Sequence, residues 1–271
     1  MMTNIDIIPA YRRELKNRVG FGTAVKNTFT FAYRTLLKVI HNPESLLDVT
    51  LMPILFTLMF TYLFGGAIAG GIISYLPIII PGILIQTCVT SCGNAGTQLR
   101  EDTDKSISNR FKSMPIARIS PLTGALTADL LRYAIAGAIV FAVGAIIGYR
   151  PGFLNVVASI GFVMFVGWCL SWLFAFVAMT AKSVSSASTF AMLIMFPLTF
   201  LSNAFVPTKT MPTVIRVFAD YINPVSKAIT AVREILGNGT IGTDFWLALA
   251  GSLVILVIFV PLTLWTYKRD V

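Results

Sequence analysis

Six stretches of this chain, near residues 46–66, 75–97, 121–148, 155–181, 187–206 and 246–266, are each long and apolar enough to cross a bilayer. A spanning helix needs roughly 20 mostly apolar residues, because its backbone must satisfy itself where no water reaches. These stretches leave little chain for a separate soluble domain. The predicted fold is therefore all-α and integral to the membrane, with six transmembrane helices in one domain over residues 46–271. Composition agrees: 56% of residues are hydrophobic and 12% charged, where soluble domains carry about 25% charged residues.

Loop charge sets the expected orientation. Arg12, Arg13, Lys16, Arg18, Lys26, Arg34, Lys38, Arg100, Lys105, Arg110, Lys112, Arg118, Lys182, Lys268 and Arg269 fall on one side of the six spans. Arg150, Lys209, Arg216, Lys227 and Arg233 fall on the other. The excess places both termini in the cytoplasm of a multi-pass plasma-membrane protein. A basic face beside anionic lipid accounts for the net charge of +9 without a nucleic-acid partner. The polar first 20 residues lack the apolar core and cleavage site of a signal peptide and predict a retained N-terminus.

Residues 1–45 read as a cytoplasmic N-terminal region holding an interfacial helix. In 23–41, Val25, Phe29, Ala32, Tyr33, Leu36, Leu37 and Ile40 recur at helical spacing, flanked by Lys26, Arg34 and Lys38. Such a helix lies with its apolar side in the membrane surface and its basic side toward lipid phosphates. Asn42-Pro43-Glu44 breaks it, and Ser45 offers a cap for the first span. Between spans five and six, residues 207–240 predict two short outer helices, Met211–Tyr221 and Val225–Leu236, the second opened by Asn223-Pro224. Val214, Ile215, Val217 and Phe218, then Val225, Ile229, Val232, Ile235 and Leu236, predict that both dip back into the outer leaflet.

Few groups inside the spans carry chemistry. Asp129 and Arg132 sit three residues apart on one helix face, a little inside the third span. An ionisable group in a span marks a candidate site, but near the cytoplasmic end these two can pair or snorkel as a structural anchor. Cys88, Cys92 and Cys169 lack a nearby His or carboxylate cluster, so no metal site is expected. The sole histidine, His41, reads as a solvated or headgroup-facing residue. No G-x-x-x-x-G-K-[ST], H-E-x-x-H or G-x-S-x-G motif occurs, so the chain itself is expected to bind no cofactor and catalyse no hydrolysis.

The most charged segment between spans is 99–119, with Arg100, Glu101, Asp102, Arg110, Phe111, Lys112, Met114, Pro115 and Arg118. Mixed charge with apolar Phe111, Met114 and Ile116 suits docking to a soluble partner.

Three stretches, in order and spacing, resemble the type-2 family of ABC exporter permeases, particularly its daunorubicin-resistance branch. The first runs from Asn42-Pro43-Glu44 through Met52-Pro53 and Phe64-Gly65-Gly66-Ala67 to Pro81-Gly82-Ile83-Leu84. The second runs from Arg110-Phe111-Lys112-Ser113-Met114-Pro115 through Leu122-Thr123-Gly124 to Ala128-Asp129-Leu130-Leu131-Arg132. The third runs from Ser202-Asn203-Ala204-Phe205-Val206-Pro207 through Asn223-Pro224-Val225 to Arg233-Glu234. The family often has a Gly shortly before the second stretch, where this chain has Ser106 or Ser108, which leaves that loop's geometry open.

The resemblance implies a six-span permease that pairs with a second permease copy or homologue and with a separate ATPase subunit, which holds the ATP and Mg. It implies that Arg100–Arg118 forms the coupling element on the ATPase. It implies a pathway bordered by spans one, two and five, with Phe56, Met59, Phe60, Gln86, Met195, Phe196, Phe200 and Asn203 as candidate lining residues, and an outer gate formed by the re-entrant helices. The implied activity is export of hydrophobic drugs, antibiotics or lipid-like compounds; a close variant exports lipid-linked glycan. Two readings from other classes stand beside it: an ion-coupled secondary carrier using Asp129, and a non-transporting membrane scaffold.

Overall fold

A computed structural model describes residues 21–40, 43–104 and 120–270. The described residues are mostly helical, with no strand among them. The helices are α1 (Phe21–Ile40), α2 (Pro43–Ala69), α3 (Ile72–Asp104), α4 (Ser120–Ile147), α5 (Phe153–Thr180), α6 (Val184–Phe200), α7 (Thr213–Val217), α8 (Pro224–Asn238) and α9 (Thr243–Asp270). The N-terminal segment 1–20, His41 and the predicted coupling residues Arg110, Phe111, Lys112, Met114, Pro115 and Arg118 lie outside the described residues.

Five helices, α2, α3, α4, α5 and α9, are long and apolar enough to span a membrane. The fifth predicted span is shorter than expected. Instead of 187–206, α6 covers 17 residues and ends at Phe200, about 25 Å at 1.5 Å per residue. Residues 201–206 complete that depth as irregular backbone. The start of the first span also differs, because the helix opens on Pro43 rather than after a Ser45 cap. Proline suits the first helical position, where its missing N–H has no helical acceptor to lose.

The bundle is built around α3. Two thirds of its apolar window is buried (67%), against 22% for α2 and 17% for α9, so the latter two lie at the outside of this bundle. Helix α3 packs against α2, α4, α5, α6 and α8. Its contact with α5 depends on the absence of a side chain at Gly167, where a Cβ would overlap the Cys88 sulfur and approach the Tyr133 ring within 3.0 Å. The Cys92 thiol lies 3.2 Å from the Tyr133 hydroxyl and 3.3 Å from the Gly167 carbonyl. All three cysteines are buried, and no cluster of three metal-ligating side chains forms among the described residues. These thiols are packing groups at helix crossings.

Helix α1 lies along the start of α4, joined by the Thr28–Thr123 hydroxyl pair at 3.1 Å. Phe29, Tyr33 and Leu37 remain exposed on its other side.

Of the two predicted outer helices, only one enters the bundle. Helix α8 inserts among α3, α5 and α9, burying Val225, Ile229, Val232, Ile235 and Leu236. Helix α7 stays at the surface and continues into a π turn, Phe218–Ile222. Val214 there is 83% exposed and Tyr221 84%, so α7 packs outside the bundle and presents its apolar side chains away from it.

Candidate transport cleft and its outer lock

Helices α2, α3 and α6 enclose a half-open cleft of about 230 Å3. One wall belongs to α3, where Gln86, Thr87, Thr90, Ser91, Asn94 and Thr97 fall on one side of the helix. Intervals of three and four residues bring side chains to a common helix face. The facing walls are mostly apolar: Met52 and Phe56 from α2, and Ala191, Met192 and Met195 from α6, with the Ser188 hydroxyl beside them. No lining residue is ionisable. The arrangement can hold an amphipathic molecule with its polar edge on α3 and its apolar body on flexible methionine side chains.

Above the cleft, aromatic rings bridge α2 to α6. Phe56 stacks on Phe60 at 6.0 Å, and Phe60 on Phe64 at 5.5 Å. Phe60 then meets Phe205 at 4.3 Å, Phe205 meets Phe200 at 5.5 Å, and Phe200 meets Phe196 at 5.3 Å. A second cavity of about 160 Å3 lies among Phe60, Phe64, Phe200 and Phe205.

Of the predicted lining residues, Phe56, Gln86 and Met195 meet at the cleft, while Phe60 and Phe200 line the second cavity. Met59 and Phe196 line neither cavity and are exposed on the flanks of α2 and α6. Asn203 also lines neither: it is buried, with Nδ2 donating to Thr230 Oγ1 at 2.8 Å. Its side chain is held by α8 because the chain turns away from the cleft after Phe200. The polar α3 residues beyond Gln86 had a sequence signal, namely hydroxyls and amides at helical spacing inside an otherwise apolar span.

The irregular segment 201–206 needs a separate account. Irregular backbone at membrane depth survives only where protein or water satisfies its polar groups. Here protein does so from three sides. Asn223 Nδ2 donates to the Leu198 and Leu201 carbonyls at 2.9 and 3.0 Å, while its Oδ1 accepts the Val225 N–H at 3.0 Å. One side chain thus caps the end of α6 and the start of α8. Tyr75 donates its hydroxyl to the Phe205 carbonyl at 2.8 Å. Arg233, on α8, donates to the Ile78 carbonyl from Nε at 3.3 Å and Nη2 at 2.9 Å, and to the Asn203 carbonyl from Nη2 at 2.6 Å.

Arg233 has no carboxylate partner among the described residues. Its planar fork instead bonds the Ile78 carbonyl on α3 and the Asn203 carbonyl beyond the end of α6. Lysine, a single ammonium, cannot reproduce that fork. Arg233→Met is therefore expected to speed amide hydrogen exchange across 201–206 by more than about tenfold, since hydrogen bonds from a charged donor are strong. Arg233→Lys should give an intermediate rate. Unchanged protection in Arg233→Met would show that α8 holds the segment without it.

The buried charges sit apart from the cleft. Arg132 is 2% exposed and its Nη1 lies 3.2 Å from Asp129 Oδ1. The pair is internal and does not snorkel to the headgroups. At the opposite end of the bundle from the lock, α3 continues unbroken through Arg100, Glu101 and Asp102. Those three residues form its last turns rather than the start of a loop. The Gln98-Leu99-Arg100-Glu101-Asp102 run holds no helix breaker, and water can satisfy the backbone beyond the membrane. Arg100 Nη2 donates to the Lys182 carbonyl at 3.3 Å, tying this extension to the α5–α6 turn.

Comparison with known proteins agrees with this architecture. Residues 26–236 match the ABC-2 type transporter family. The chain is also 38% identical, over 257 residues, to the daunorubicin resistance ABC transporter permease protein DrrB1 of Streptomyces coeruleorubidus. That alignment covers 93% of this chain and 89% of the relative. A central α3 with a cleft against α2 and α6, a re-entrant α8 and these two matches together place the chain in the ABC-2 type transporter family.

Proposed function

We propose that this chain is the permease subunit of an ATP-driven exporter that moves hydrophobic or amphipathic compounds, of drug, antibiotic or lipid-like type, out of a bacterial cell. It performs no catalysis itself. A separate ATPase subunit holds the ATP and Mg, and a second permease, identical or homologous, completes the pathway. Both termini face the cytoplasm. The observation that carries this reading is the uncharged cleft between α2, α3 and α6, walled by polar groups on one side and by Met and Phe on the other. A cleft of about 230 Å3 is small beside the ~300–1,000 Å3 typical of drug-sized pockets. That size fits half of a site shared between two permeases.

Energy enters through Arg100–Arg118. The helical extension of α3 carries the first residues of that segment, through Asp104, and gives the rest a rigid lever. Phe111 and Met114 supply apolar anchors for the ATPase, and the charges around them set its orientation. Co-expression with the partner ATPase, followed by affinity purification and ATP hydrolysis assays, tests the reading. The unmodified complex is expected to hydrolyse ATP. Phe111→Asp and Met114→Asp should release the ATPase or sever its response to substrate, because a charge in a desolvated contact is costly. Uptake that proceeds without ATP, with no ATPase retained, would overturn the reading in favour of the secondary carrier. The Asp129–Arg132 pairing speaks against that carrier, since a proton site needs access that a closed internal ion pair lacks.

A further inference from the structure

The cleft has a more specific chemistry than an apolar route requires. Gln86 is only 8% exposed, lines the cleft, and its Oε1 has no hydrogen-bond partner. A buried acceptor left unsatisfied is costly, and native structures rarely keep one without a reason. The hydroxyls farther down the same wall are acceptors too. Thr90 donates its proton to the Gln86 main-chain carbonyl at 3.0 Å, and Thr97 donates to the Gly93 carbonyl at 3.1 Å. Each hydroxyl oxygen keeps its lone pairs. From Gln86 to Thr97 the acceptors extend along roughly 16 Å of helix. The same lining also holds donors, the Gln86 Nε2 and the Ser91 and Ser188 hydroxyls, so it suits a ligand whose groups both donate and accept, as hydroxyls do.

Charge narrows the class. Among the described residues no carboxylate lines the cleft, so on this chain's side a desolvated ammonium would meet no counter-charge, which is strongly unfavourable. Neutral hydroxyl donors carry no such penalty. The opposite wall, with Met52, Phe56 and Met195, is matched to an apolar body.

We propose that this cleft takes the uncharged, hydroxyl-bearing part of an amphipathic substrate, with the Gln86 side-chain carbonyl accepting its innermost hydrogen bond. This rests on the exporter reading and assigns it a substrate class. Thr90 and Thr97 accept further hydroxyls, and the Met and Phe wall covers the apolar remainder.

The test uses three fluorescent probes with one alkyl chain: a glucoside, the same glucoside with every hydroxyl methylated, and a primary ammonium. Binding is measured on the full-length permease in nanodiscs. The glucoside is expected to bind at least about tenfold tighter than either other probe, the ratio that one or two neutral hydrogen bonds supply. Gln86→Leu should bring the glucoside down to the level of its methyl ether. Thr97→Val, a near-isosteric change, should lower it in part, and so reports even if the Gln86 variant misfolds. Equal binding of glucoside and methyl ether, tighter binding of the ammonium, or an unchanged ratio in a folded Gln86→Leu would each overturn the assignment.

The same probes in proteoliposomes holding permease and ATPase separate the two levels. ATP-driven uptake without glucoside preference removes this inference and leaves the exporter standing. Glucoside preference in nanodiscs with no effect of ATP on uptake does the reverse.

Discussion

Gly82→Val is expected to yield no correctly assembled permease, and Gly82→Ala a permease with a clearly lowered melting temperature. Gly82 lies in the most buried stretch of α3, against the irregular segment that follows α6. A Cβ at this position would overlap the Ala204 carbonyl oxygen and stand 2.7 Å from its carbon and 2.9 Å from the Ala204 Cα. Both surfaces are backbone, so no rotamer change relieves the clash. Segment 202–206 would have to lift from α3, and its bonds resist that. Asn203 is held through Ser226 and Thr230, Ala204 N–H donates to Ser202 Oγ, and Tyr75 and Arg233 bridge from either side. Overpacking by a flexible side chain costs about 1–3 kcal/mol; two fixed backbones should exceed that range. Size-exclusion profiles and thermal melts in detergent check it. Gly161→Ala is the control, because nothing lies within 4 Å of a Cβ there. A monodisperse Gly82→Val permease with the melting temperature of the unmodified chain would refute the close approach of these backbones.

Sequence patterns made the helical layout legible, because periodicity and punctuation are local. Asn223-Pro224 was readable as a helix start, and the structure uses it so, with the Asn223 side chain accepting the Val225 N–H. The apolar run Val225–Leu236 announced a helix too hydrophobic for solvent. The early end of α6 was not legible. Its apolar run continues past Phe200 into Leu201, Ala204, Phe205 and Val206, and what ends the helix is competition from Asn223, Tyr75 and Arg233, all distant in the chain. The outer lock was hidden for the same reason: Arg233 meets Ile78 across 155 positions. It reads as an ordinary loop charge until the fold buries it. At the cleft, Gln86 stood out as a lone amide in a span, but its missing partner is visible only once the surrounding helices are in place. Segment 105–119 remains known from its sequence pattern and family resemblance.

The largest single-residue effect outside that lock is expected at the buried ion pair. Arg132→Leu strips the Asp129 carboxylate of its guanidinium while leaving it buried, 4% exposed. Breaking such a pair from one side costs about 3–5 kcal/mol, a large share of the roughly 5–15 kcal/mol that holds a typical domain folded. Removing both charges is different. Apolar residues of similar volume in place of a buried pair are often neutral, because no charge then has to be desolvated. The double variant Asp129→Leu with Arg132→Met should therefore recover much of the stability lost in Arg132→Leu, as read by thermal melts of each permease in the same detergent. Transport separates structure from chemistry. If the pair only ties the helix together, the double variant still exports in an ATP-dependent manner at every pH tested. If Asp129 carries a proton, the double variant folds but transports nothing, and Asp129→Asn alone has the same effect. Stability that returns without transport would thus move the energy source from the proposed ATPase to this carboxylate; return of both leaves the pair as scaffolding.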